Sequence, residues 1–196
     1  MIAIVRYDAG NVLSVINALR RLGVTERDLT SDPLRLMEAD KVLLPGVGDA
    51  SVALQGLRTL GLDPVILSLR KPVLGICVGM QILCRHSEEG DTDGLGVFDT
   101  VVRRFAPRGH DLKVPHMGWN QVEGLNSGLF DGIAEGAHMY YVHSYYAGIC
   151  QDTIATTVHG VRFSAALCRE NFYGTQFHLE KSGSNGARLL KNFLEL

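Results

Sequence analysis

No apolar run in this 196-residue sequence approaches the roughly 20 residues that a membrane-spanning helix requires. An apolar leader is missing too, because Met1 opens directly onto the short strand-like run Ile2 to Val5. Cysteine is scarce: Cys77, Cys84, Cys150 and Cys168 are the only four, and no two are spaced C-x-x-C, so neither a disulfide framework nor a zinc ribbon is expected. These absences point to a reduced, cytoplasmic chain. Charge is close to balanced, with 19 Lys and Arg against 21 Asp and Glu, which gives no basic surface for nucleic acid. The seven histidines show no metal-ligand spacing; His138 and His143, five apart in a strand-like stretch, fall on opposite faces. A Gly-Lys-Ser/Thr phosphate loop is lacking, and neither a metal nor a cofactor is expected. With no repeat, low-complexity tract or linker, residues 1–196 are expected to form one domain, long enough to bury roughly 70% of the unfolded surface without staples.

What is present alternates. After Ile2 to Val5, the spacing of Val12, Val15, Ile16, Leu19 and Leu22 is helical, with Asn11 as N-cap and Gly23 as stop. Asp32-Pro33 marks a turn and Leu34 to Ala39 a short helix. Lys41 to Leu44 reads as a strand ending at Pro45, and Ala50 to Leu60 as a helix stopped by Gly61. This order predicts an α/β fold of three layers, a mainly parallel central sheet with helices on both faces. From about Glu89 to Asn126, glycine and short pieces such as Val97 to Val102 predict antiparallel hairpins, hence a second, smaller antiparallel sheet. Further strands are expected at His138 to Tyr145, Ile154 to Val158 and Phe163 to Cys168, and a closing helix at Ala187 to Leu194.

Three stretches carry candidate chemistry. In KPVLGICVGMQ (Lys71 to Gln81), a strand from Pro72 to Ile76 runs into Cys77 between Gly75 and Gly79, and a helix is expected through Met80 to Leu83 and on to Cys84. A nucleophile elbow has this pattern: the side chain is held on a strained turn facing open space, with the positive end of a helix dipole beneath it to stabilise negative charge. A buried core cysteine fits the same letters. The loop Pro45-Gly46-Val47-Gly48 follows a strand, so it sits where open α/β sheets place ligands; its amides can complete an oxyanion hole or simply make a tight turn. In Phe172 to Glu180, strand alternation would put His178 and Glu180 on one face, as a base and its orienting carboxylate or as a plain solvated face. His143 is the rival base, but it lacks a carboxylate two residues away.

Together, G-I-C-V-G-M-Q, the P-G-V-G loop and Q-F-H-x-E resemble the glutaminase domain of the class I (triad) glutamine amidotransferases, a flavodoxin-like family, in the same chain order and over nearly the whole chain. R-Y-D-A-G-N, P-H-M-G-W-N, Y-V-H-S-Y, H-x-E-K-S-G and L-L-K-N-F-L are similar to the branch that provides glutaminase subunits of imidazole glycerol phosphate synthases. That branch usually has proline between the histidine and the glutamate, where this chain has Leu179. The resemblance implies Cys77 as nucleophile, His178 as acid/base and Glu180 as its orienter. It further implies an oxyanion hole from the amides of Val47 and Val78, and L-glutamine contacts at Gly46, Gly48, Gln81, Ser144 and Tyr145. Ammonia would pass to a separate TIM-barrel cyclase subunit in a heterodimer, docked near His116, Met117, Trp119, Asn120, Tyr140 and Lys181. A peptide flip at the twin glycines would create or remove an oxyanion donor and so gate turnover.

Overall fold

Ile2–Val5 form β1, buried along its whole length, as an unbroken apolar run covered on both faces should be. The computed structural model describes residues 1–7, 12–106 and 112–196, so the expected Asn11 cap lies outside the described residues. Helix α1 (Val12–Arg21) ends at Gly23, whose φ of 78° is a left-handed conformation that glycine adopts freely. Strand β2 (Arg27–Thr30) was not expected: its letters, RDLT, hold one apolar residue, and it lies at the edge of the sheet, where only part of a strand must be buried. Asp32 caps α2 (Pro33–Glu38) by accepting from the Leu34 amide, with Pro33 at the first helical position. Strand β3 (Lys41–Gly46) does not stop at Pro45 but continues through it to Gly46. Asp49 caps α3 (Ala50–Thr59), and Gly61 both stops it and starts α4 (Leu62–Ser68), a helix beyond those expected from the sequence.

Strand β4 (Val73–Cys77) leads into α5 (Val78–Gln81), a single turn and not the longer helix expected through Cys84. Cys84 instead begins β5 (Cys84–Ser87) and is fully buried. Next come β6 (Thr92–Asp93), β7 (Phe98–Arg104), β8 (His116–Gln121), β9 (His138–His143) and β10 (Tyr145–Ala147). The chain closes with β11 (Thr153–His159), β12 (Val161–Arg169), β13 (Phe172–Thr175) and α6 (Gly183–Glu195).

The main sheet has seven strands in the order β11-β12-β13-β4-β3-β1-β2, parallel from β13 to β2 and antiparallel at β11 and β12. The order reverses at β1, since the chain goes one way to β2 and the other way to β3. Right-handed crossovers therefore put α1 on the opposite face from α2, α3 and α4. A small antiparallel sheet pairs β8 with β9. The remaining strands form a four-stranded sheet in the order β10-β7-β5-β6, and its β5–β7 pair is parallel, so the expected run of hairpins is interrupted there. Among the described residues, no helix is long and apolar enough to cross a membrane.

Register explains why distant residues meet. Gly46 pairs with Cys77 across β3 and β4, and Thr175 pairs with Ile76 across β13 and β4. The P-G-V-G loop, the Cys77 turn and the segment after Thr175 therefore leave the sheet at one level, on its carboxyl edge.

Candidate active site

Cys77 has φ 55° and ψ −111°, a conformation that side-chain-bearing residues avoid, so the strain expected of an elbow is present. Two glycines allow it. A Cβ on Gly79 would lie 1.8 Å from the Leu44 carbonyl oxygen, and one on Gly46 would lie 2.7 Å from the Gly79 amide. Gly46 thus serves the close approach of β3 and α5 and does not line the cavity, contrary to its expected ligand contact. Gly48 does line it, with φ 90° and open space around its Cα, so the freedom expected of both loop glycines belongs to Gly48 alone. The thiol does not face open solvent either. Cys77 is 3% exposed and sits in a cavity of about 290 Å³. Val47, Val78, Gln81, Ser144, Tyr145 and His178 line this cavity with it.

His178 and Glu180 do not lie in a strand. The strand ends at Thr175, and Leu179–Lys181 form a turn of 3-10 helix that swings the carboxylate back to the ring. His178 Nδ1 and Glu180 Oε1 are 2.8 Å apart, with both side chains almost completely buried. Leu179 in the proline position leaves this contact in place. The backbone at His178 is clamped on two sides: its amide donates to the Tyr140 carbonyl of β9 at 2.9 Å, and its carbonyl accepts from the Ser182 hydroxyl, just before α6, at 2.7 Å. The other ring nitrogen, Nε2, has no hydrogen-bond partner in the structure and stands next to the Cys77 thiol. Burial alone would depress the imidazole, but the adjacent Cys77 sulfur and then the Glu180 carboxylate override it and hold His178 up at about 10.

Residues 5–196 match the family described as glutamine amidotransferase class-I. The chain belongs to the class I glutamine amidotransferases. It is 53% identical over 195 residues to "Imidazole glycerol phosphate synthase subunit HisH" of Bacteroides thetaiotaomicron, covering 100% of this chain and 99% of the relative. It is 46% identical over 197 residues to the protein of the same name from Yersinia pseudotuberculosis, covering 98% and 99%. In fold it is similar to a solved glutamine amidotransferase, with TM-score 0.75, 18% identity and 99% and 97% of the two chains covered. The structure of PurLQS from Thermotoga maritima gives TM-score 0.71 at 17% identity, again covering 99% and 97%.

In this glutamine amidotransferase, three further groups at or behind the cavity have no role assigned from the sequence. Among the described residues, Glu89 contributes the only acidic side chain to the lining, and its Oε2 accepts from the Ala50 amide at 2.8 Å. Gln176, inside the Q-F-H-x-E motif, aims Nε2 at the Cys77 sulfur (3.7 Å) and accepts from Gln81 Nε2 at 3.0 Å. The Tyr7 hydroxyl donates to the Pro45 carbonyl at 2.7 Å and so steadies the P-G-V-G loop from beneath. Glu89 could have been sought as a lone carboxylate after the elbow; Gln176 and Tyr7 are legible only once the strands are placed. Around the expected docking surface, Met117 (64%) and Trp119 (55%) are exposed and not core. Tyr140 lies between Trp119, 5.8 Å centroid to centroid, and the Lys181 ammonium, 5.8 Å from its ring. His116 is the correction: it is buried on the inward face of β8, away from the exposed Met117 and Trp119, and Asn120 on the same face is half-buried beside it.

His143, the rival base, lines the cavity but has both nitrogens engaged, at 2.7 Å to the Tyr145 carbonyl and 2.9 Å to His116 Nδ1. Burial first, then neighbouring histidines, pushes His143 down to about 3 and His116 to about 4. Both folded values lie below the unfolded value of roughly 6.5, so the unfolded chain takes up protons first as the medium is acidified. Stability from these two rings is therefore complete above that pH and is lost below it, on the order of 2 kcal/mol for each by pH 4.5. His178 runs the other way, its contribution being complete at low pH and lost as pH rises through about 10. The urea midpoint should fall between pH 7 and pH 4.5; a flat midpoint over that range would contradict two neutral buried rings.

Proposed function

We propose that this chain is the glutaminase subunit of an imidazole glycerol phosphate synthase, releasing ammonia from L-glutamine for a TIM-barrel cyclase subunit. That partner would convert PRFAR to imidazole glycerol phosphate and AICAR in histidine biosynthesis, in the cytoplasm, with residues 1–196 acting as one domain. The observation that carries the reading is a strained cysteine facing a buried histidine–carboxylate pair across a cavity of about 290 Å³, at the small end for ligand sites and suited to one amino acid.

The geometry supports the following sequence. Cys77 thiolate, paired with the His178 imidazolium, attacks the side-chain carbonyl carbon of glutamine. The amides of Val47 and Val78 receive the negative oxygen of the tetrahedral adduct. His178 gives its proton to the amide nitrogen, the C–N bond breaks, and ammonia leaves behind a thioester. The ring, neutral again, takes a proton from water; the hydroxide equivalent attacks the thioester, and glutamate departs with Cys77 restored. Glu180 fixes the ring so that Nε2, not Nδ1, faces the sulfur. Glu89 meets the α-ammonium of glutamine, while Gln81 and the backbone at Ser144 and Tyr145 hold its amino-acid end. Gly48 allows the Val47 peptide to turn, which provides a gate on the oxyanion site. Met117, Trp119, Tyr140 and Lys181 form the face that docks the cyclase.

The test is to mix the purified chain with its cognate cyclase and measure glutamate release with and without PRFAR. The expected result is slow release by the chain alone and at least about tenfold faster release with partner and effector, the loss of one oxyanion donor being worth roughly 10²–10³. Faster turnover of peptides or esters than of glutamine, or no response to the cyclase, would overturn the reading.

A further inference from the structure

A line of side chains runs from the exposed strand β8 to the cavity wall, and the donor and acceptor at every contact are fixed by chemistry. The Tyr145 carbonyl can only accept, so His143 Nδ1, 2.7 Å away, carries a proton. A neutral ring has one proton, which leaves His143 Nε2 as an acceptor for His116 Nδ1 at 2.9 Å. His116 Nε2 then accepts from Asn120 Nδ2 at 3.1 Å, and the same amide nitrogen donates to the Val158 carbonyl at 2.9 Å. Strand pairing sets the residues up: His116 lies opposite His143, and Asn120 is on the same face of β8 as His116. The His116 ring is held flat between Tyr141, at 4.7 Å and 25°, and His159, at 4.1 Å and 19°. An added proton on either ring would turn one acceptor into a second donor facing a donor, which agrees with the downward shift of both rings.

The Tyr145 carbonyl has a second donor, Gln81 Nε2 at 2.9 Å, which is tied through Gln176 to the Cys77 sulfur. Met117 and Trp119 project outward from the same strand whose inward face carries His116 and Asn120.

We propose that Asn120, His116 and His143 are positioning residues, a one-way hydrogen-bond relay that holds the Tyr145 carbonyl and with it the wall that receives the amino-acid end of glutamine. This assignment rests on the glutaminase reading for its substrate. A push on β8 by a docked protein reaches the site by this route, because β8 cannot shift without moving the His143 contact to Tyr145. The relay acts on substrate placement and leaves the proton chemistry to His178, so its loss raises KM for glutamine more than it lowers kcat.

Two measurements test it. In the intact protein labelled with ¹⁵N-histidine, His116 and His143 should both appear at pH 7 as neutral rings protonated at Nδ1. An Nε2-protonated or cationic form of either ring overturns the relay, and this arm stands whether or not the protein turns over glutamine. In the complex with cyclase and effector, His116→Leu and His116→Gln should raise the KM for glutamine at least tenfold with kcat within about threefold, because neither returns a donor at the Nδ1 position. His116→Asn, which does return one, should recover most of the affinity. Equal KM values for the folded variants would overturn the proposal. No glutamate release by the unmodified complex would instead sink the glutaminase reading.

Discussion

Cys77→Ser should leave the chain folded and able to bind glutamine while lowering kcat for glutamate release by roughly 10⁴-fold or more. The substitution removes one property, since oxygen replaces sulfur in the same strained turn. Sulfur is a strong nucleophile and a good leaving group from the thioester it forms, whereas a serine hydroxyl in the same place is a far weaker nucleophile, and the single turn of α5 adds little dipole to help it. Steady-state kinetics with partner and effector present check this, with KM expected to stay within a few fold. If Cys77→Ser kept a tenth of the activity, the nucleophile would lie elsewhere, and no other cysteine borders the cavity.

Gly79→Ala should have the largest effect on folding, a loss of at least about 3 kcal/mol and very low soluble yield. The added methyl would sit 1.8 Å from the Leu44 carbonyl oxygen and could not turn away, because it strikes the backbone of a central strand. Either β3 parts from α5, breaking the alignment of Gly46 with Cys77, or the elbow unwinds. Gly48→Ala makes a useful contrast: nothing lies within 4 Å of that position, but φ is 90°, so only backbone strain of roughly 1–2 kcal/mol is expected. Urea denaturation of both variants measures the difference; a Gly79→Ala protein as stable as the parent would show that the close approach is not required.

Much of the fold could be read from the letters because two periods dominate them. Unbroken apolar runs such as Ile2 to Val5 and Val73 to Ile76 mark strands covered on both faces, and Gly23 and Gly61 mark helix stops; the Asp32 and Asp49 caps emerge only in the structure. Elements governed by position were harder to read. β2 is an edge strand without an apolar pattern, α4 begins one residue after a glycine that ends another helix, and α5 stops early because β5 must begin at Cys84. The site divides in the same way. Cys77, His178 and Glu180 carry their chemistry in their side chains and in fixed spacing, although the local geometry joining His178 to Glu180 is a 3-10 turn and not strand alternation. Gly46 and His116 were misplaced because their roles depend on what lies across a strand pair, which one sequence does not display. Glu89 enters the site through tertiary contact alone, while Gln176 and Tyr7 stand inside Q-F-H-x-E and R-Y-D-A-G-N but show their partners only once the strands are placed.

The most direct measurement is alkylation of the intact protein, with its partner and effector, by a diazoketone analogue of glutamine, located by peptide mass spectrometry. The account predicts one adduct per chain, on Cys77, formed by attack of the sulfur with loss of dinitrogen and slowed by L-glutamine. Adducts spread over Cys150 and Cys168, or labelling of Cys77 that glutamine does not slow, would contradict the claim that thiol, imidazole and carboxylate meet at one glutamine site.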